Sequence, residues 1–77
     1  MPHITVRMYA GRSEEQKRRL AEVITNAFIT TLGSAPDAIS VGIEDIAPDD
    51  WMAKVYEPEI SGKEASLYKR PGYGPAK

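Results

Sequence analysis

The stretch from Ser13 to Gly33 reads as one amphipathic helix bracketed by its own start and stop signals, with an alternating strand pattern on either side. Leu20, Val23, Ile24, Ala27, Phe28 and Leu32 recur at spacings of three and four, the period of a helix that buries one stripe. Ser13 stands three residues before Gln16 with Glu14 and Glu15 between them, which predicts a capping box and a first helical residue at about Glu14. Gly33 sits where a left-handed residue ends a helix. Upstream, Ile4, Val6 and Met8 alternate with Thr5, Arg7 and Tyr9, predicting a strand that ends at Ala10-Gly11. Downstream of the Pro36 turn, Ile39, Val41 and Ile43 alternate with Ser40, Gly42 and Glu44, predicting a second strand near residues 38–45. Strands separated by a full helix cannot form a hairpin; they lie parallel, joined by a right-handed crossover. The fold class is therefore α/β (α+β), a βαβ unit.

One helix covers one sheet face. A chain of 77 residues buries only about 60 to 65% of the surface it exposes when unfolded. It has no cysteine for a disulfide, and its single histidine leaves no ligand set for structural zinc. The uncovered sheet face, expected to be apolar, and the open strand edges predict completion by a second copy, a homodimer. The whole of residues 1–77 is expected to form one domain. Ten basic against eleven acidic residues give a net charge of −1, so no basic field gathers nucleic acid. No apolar run approaches the roughly 18 to 20 residues of a membrane span, and the first residues lack a secretory signal pattern, which predicts a cytoplasmic chain.

Past Ile46 the pattern changes. Pro48 followed by Asp49 and Asp50 predicts a short helix over Asp49 to Val55, and Ser61-Gly62-Lys63-Glu64 predicts a second over about Gly62 to Lys69. Residues 70–77 have no period and are expected to form a flexible tail.

No metal motif, phosphate loop or thiol offers conventional catalysis, so neither metal nor cofactor is expected. The carboxylate pairs Glu14/Glu15, Glu44/Asp45 and Asp49/Asp50 are sequence neighbours whose side chains diverge. Lys17-Arg18-Arg19 reads as a solvated helix face. Pro2 is different. Removal of Met1 would leave a secondary amine at the start of a strand, and apolar surroundings or a nearby cation disfavour its protonated form, giving a neutral base. A proline is also structurally at home at a strand start, so the residue alone leaves both readings open.

Taken together, Pro2, the strand from Ile4, the segment Gly11-Arg12-Ser13-Glu14-Glu15-Gln16-Lys17, the helix and the second strand resemble the 4-oxalocrotonate tautomerase family over about residues 2–51. With Trp51 and Lys69-Arg70-Pro71-Gly72-Tyr73 included, the chain resembles the family's longer, dimeric bacterial subgroup. The resemblance implies a cofactor-independent tautomerase that interconverts enol and keto forms of small 2-oxo carboxylic acids, with Pro2 as general base. It implies that Arg12 binds the substrate carboxylate and keeps the proline neutral, and that Trp51 is an aromatic wall. On their own, Arg12 also reads as a turn residue and Trp51 as core packing. Ser40 falls where well-known members carry a second arginine, and a hydroxyl cannot hold a second carboxylate as a cation does. Monoacid enols are therefore the expected substrates, unless Arg7 or a C-terminal Lys or Arg compensates. His3 neighbours Pro2 but points to the opposite face of the strand, outside the expected chemistry. Two other readings stand beside this one: a hydratase or dehalogenase of the same superfamily, which needs a carboxylate to activate water, and a non-enzymatic dimeric binding module.

Overall fold

A computed structural model describes residues 1–74. Its backbone resolves into two compact units, Met1–Ile46 and Ala47–Lys77. Among the described residues no helix is long and apolar enough to cross a membrane.

The first unit is a βαβ unit. Strand β1 (His3–Tyr9) pairs parallel with β2 (Ser40–Ile46), and helix α1 (Glu14–Leu32) connects them. Both ends of α1 form for the expected reasons. The Ser13 hydroxyl accepts from the Gln16 amide at 3.1 Å while the Ser13 amide donates to Gln16 Oε1 at 3.0 Å. Gly33, at φ +68°, turns the chain out of the helix and donates to the Ile29 carbonyl. The second strand starts later than the alternation suggests. Pro36 closes a 3-10 turn in which the Ile39 amide donates to the Pro36 carbonyl at 3.2 Å, so Ile39 is spent on the turn and pairing begins at Ser40.

The register aligns His3 with Ser40, Val6 with Ile43 and Tyr9 with Ile46. Ile4, Val6 and Met8 thus share a face with Val41, Ile43 and Asp45, and this is the face α1 covers. Val41 and Ile43 line a groove with Lys17, Arg18 and Ala21 of the helix, and Lys17 Nζ donates to Asp45 Oδ2 at 2.8 Å. That last contact corrects the expectation of a purely solvated Lys17: it ties helix to sheet.

The other sheet face is not the apolar surface expected. It carries His3, Thr5, Arg7, Ser40 and Glu44, which pair among themselves, with Tyr9 beside Ile46 at its far end. The exposed apolar surface of this unit lies instead on α1, whose stripe is broader than a two-stranded sheet can cover. Val23 is 48% and Leu32 66% exposed, and Ala27, Phe28, Thr31 and Leu32 line an apolar groove of about 210 Å³.

In the second unit the expected short helix is longer and wider. A 3-10 turn over Pro48–Asp50 leads through Trp51 into a π-helix, Met52–Ile60, with Pro58 inside it. An α-helical ladder would press the Pro58 ring on the carbonyl four residues back, and the wider π turn relieves that clash. Ser61 ends this helix by donating to the Tyr56 carbonyl at 2.8 Å. Gly62 follows in a left-handed conformation at φ +73°, which turns the chain away from a helix begun at Ser61, and the expected helix over Gly62 to Lys69 shrinks to a 3-10 turn, Glu64–Ser66, without a side-chain cap. Val55 and Tyr56 are the buried core residues of the π-helix. Of the expected tail, Tyr73 and Gly74 lie against Tyr56, while residues 75–77 lie outside the described residues.

Candidate active site

Pro2 sits one residue ahead of β1 and is already in the ladder: its carbonyl accepts from the Ser40 amide at 3.2 Å. The residue is half-buried, whereas Met1 projects fully into solvent. With Met1 attached, the Pro2 nitrogen is an amide without a basic lone pair. Its removal exposes a secondary amine whose position is fixed from behind by the Pro2–Ser40 hydrogen bond.

Ser40 does more than pin the backbone. Its Oγ lies 2.6 Å from His3 Nδ1, and Thr5 Oγ1 lies 3.2 Å from His3 Nε2. His3 therefore faces away from the helix side, as strand alternation requires, yet β2 brings it a partner that alternation alone does not reveal. Both ring nitrogens are engaged, one with each hydroxyl. No sequence spacing signals this cluster, because His3 and Ser40 meet only through the parallel register.

Arg12 occupies the turn between β1 and α1, immediately ahead of the N-cap Ser13. It is exposed and has neither an ion-pair nor a hydrogen-bond partner among the described residues, so its guanidinium is available to an anion. Arg7 is not equivalent, since its Nε lies 3.3 Å from Glu44 Oε2. The carboxylates of the first unit's sheet are likewise committed. Glu44 faces Arg7, and Asp45 faces Lys17, whose pKa is raised above the usual lysine range by hydrogen bonds first to Asp45 and then to Glu14.

Pro2 and Arg12 do not meet within one chain. They lie beyond opposite ends of β1, whose seven residues at about 3.3 Å each span roughly 23 Å, far more than an arginine side chain can bridge. Trp51 belongs to the second unit. There its indole N–H donates to the Tyr73 hydroxyl at 2.9 Å, and Tyr73 packs on Tyr56 with ring centroids 5.9 Å apart. Tyr73 entered the sequence reading only as the end of the Lys69–Tyr73 segment, with no role of its own, because no local spacing links it to Trp51. Among the described residues no group of three or more His, Cys, Asp or Glu side chains is arranged to hold a metal ion.

Residues 2–57 match the family model described as "Tautomerase enzyme". A probable tautomerase of Xylella fastidiosa is 43% identical, aligned over 96% of this chain and 90% of the relative. Tautomerase PptA of Pectobacterium carotovorum is 39% identical over 95% of this chain and 97% of its own length. Among solved structures, YwhB, a homologue of 4-oxalocrotonate tautomerase, superposes with a TM-score of 0.61 at 44% identity, covering 62% of this chain and 79% of that one.

Proposed function

This chain belongs to the tautomerase family, as an isomerase of the 4-oxalocrotonate tautomerase type closely related to the PptA-like bacterial enzymes, and from that premise we propose that it interconverts the enol and keto forms of small 2-oxo monocarboxylic acids, with Pro2 as the base. After loss of Met1, the neutral Pro2 nitrogen takes the proton of the enol hydroxyl as the carbonyl forms. The same nitrogen then returns a proton to the adjacent carbon, so the proline ends as it began and no cofactor enters. Arg12 binds the substrate carboxylate through its planar fork, and Trp51 walls the site against water.

The observation that carries this reading is the placement of Pro2: half-buried, held in the ladder by Ser40, and preceded by a fully exposed Met1 open to removal. The commitment of Glu44 to Arg7 and of Asp45 to Lys17 favours isomerisation over a hydratase, because each of these carboxylates already serves a cation. Ser40 in place of a cation favours a monoacid.

The site is completed by a second copy. A twofold arrangement with the two β1 edges antiparallel sets the Pro2 end of one strand beside the Arg12 end of the other, which resolves their separation within a chain. The enzyme then works as a cytoplasmic homodimer, each chain acting as a single tautomerase-like domain.

The test compares processed protein with a form that retains Met1, verified by intact mass, on phenylenolpyruvate. The processed form is expected to ketonise it, with activity lost at low pH as Pro2 becomes protonated; the Met1-retaining form is expected to be inactive. Equal turnover by the two forms refutes Pro2 as base.

A further inference from the structure

The closing segment carries a feature that the chemistry above does not use. Tyr73 places its hydroxyl 2.9 Å from Trp51 Nε1 and its ring against Tyr56, a residue only 1% exposed. The indole N–H is a donor only, so the phenolic oxygen must accept, and the Tyr73 proton points elsewhere. Gly74 sets this contact. It stands at φ +74°, a left-handed conformation, and a Cβ there would fall 2.7 Å from Tyr56 Cε2 and 2.8 Å from its Cζ and Oη. Only a glycine lets the chain come that close to the ring. The π-helix holds Tyr56, Tyr56 and Gly74 seat Tyr73, and Tyr73 takes the indole N–H.

We propose that Tyr73 is a positioning residue: it fixes the plane of the Trp51 indole, and thereby the wall that substrate meets. The proposal rests on the reading of Trp51 as a site residue given above. A tryptophan held at one edge by a hydrogen bond and reached through a glycine-seated segment presents one orientation. Loss of that bond releases the N–H edge of the indole, and substrate binding must then supply part of the ordering.

Trp51 is the only tryptophan of the chain, so its fluorescence, excited selectively, reports on the surroundings of this one indole. Processed, full-length protein is compared with Tyr73→Phe, Gly74→Ala, Trp51→Phe and the Trp51→Phe/Tyr73→Phe double variant. Tyr73→Phe keeps the ring and deletes only the hydroxyl that accepts from the indole. It is expected to shift the Trp51 emission and to raise KM about three- to tenfold, the range of one neutral hydrogen bond, while kcat stays within about twofold. Gly74→Ala is expected to shift the emission in the same way. In the Trp51→Phe background, Tyr73→Phe is expected to add nothing to KM, since it acts through the indole. A Trp51→Phe effect alongside a silent Tyr73→Phe, in emission and KM alike, overturns the proposal alone, as does an undiminished Tyr73→Phe effect in the Trp51→Phe background. A Trp51→Phe variant with unchanged kinetics overturns the placement of Trp51 at the site and the proposal with it.

Discussion

Two variants of this protein, one inactive and one crippled, should restore one another. Pro2 and Arg12 are separated along β1 by roughly 23 Å, seven residues at the rise of an extended strand, and the function proposed above therefore requires a site that takes Pro2 from one chain and Arg12 from a second copy. Pro2→Leu removes the base and, with a bulky second residue, keeps Met1. Arg12→Ala leaves the base but deletes a charge-assisted contact to the carboxylate worth about 1.5 to 3 kcal/mol, at least a tenfold loss. Refolded separately and then mixed in equal amounts, the two preparations should show no more than about 5% of wild-type activity, half the residual of the arginine variant. Refolded together, half of the dimers are hybrids by random association, and each hybrid has one site with both residues and one with neither. Activity should then rise to about one-quarter of wild type. The assay is ketonisation of phenylenolpyruvate at fixed total protein, with hybrids counted by native mass spectrometry. If hybrids form and activity stays at the parental average, the two residues do not share a site across the interface, and the composite arrangement is wrong.

Ser13→Ala removes one arm of the capping box, the bond from the Gln16 amide to Ser13 Oγ at 3.1 Å, and should cost about 1 kcal/mol. For a domain of this size that lowers Tm by about 4 to 8 °C, read by thermal melts at equal protein concentration; an unchanged Tm would show the box to be ornamental. Lys17 has a folded-state pKa raised above its ordinary value of 10.5 by its bonds to Asp45 and Glu14. Its contribution is therefore fully present from neutral pH up to about 10.5 and is lost as pH rises through the folded-state value. The Tm gap between wild type and Lys17→Met should hold across the first range and close above it, and a gap that persists in strong alkali would point to packing instead of the ion pair.

The first unit was legible because its signals are local. Ser13 and Gln16 are one turn apart, Gly33 follows the last apolar position, and each strand shows its own alternation. The same alternation placed Thr5, Arg7 and Tyr9 together, and the expectation of an apolar open face ran against it. What the alternation lacked was the register that gives those groups their partners: Ser40 for His3, Glu44 for Arg7. The second unit was less legible because its turns compete for the same residues. Ser61 fits a helix start by composition, but its amide closes the preceding helix on the Tyr56 carbonyl and Gly62 turns left-handed behind it, while Pro58 sits inside a π-helix that no local spacing announces.

For the site, residue types were readable and their meeting was not. Pro2 and Arg12 each carry a local reason to be reactive, one as a terminal amine after processing, the other as an arginine that the turn leaves without a partner among the described residues. Nothing local says whether they act together, and in a single chain β1 holds them apart. The geometry of a two-stranded sheet supplies the missing step. Both strands are edges, with no third strand among the described residues to cover β1, and twofold symmetry makes an edge-to-edge pair antiparallel. Antiparallel pairing exchanges the ends of the strand, so in the dimer proposed above the Pro2 end of each β1 would lie beside the Arg12 end of the other. On that proposal the uncovered edge and the divided site are one feature: the surface that a small domain leaves open is also the one across which its two reactive ends would meet.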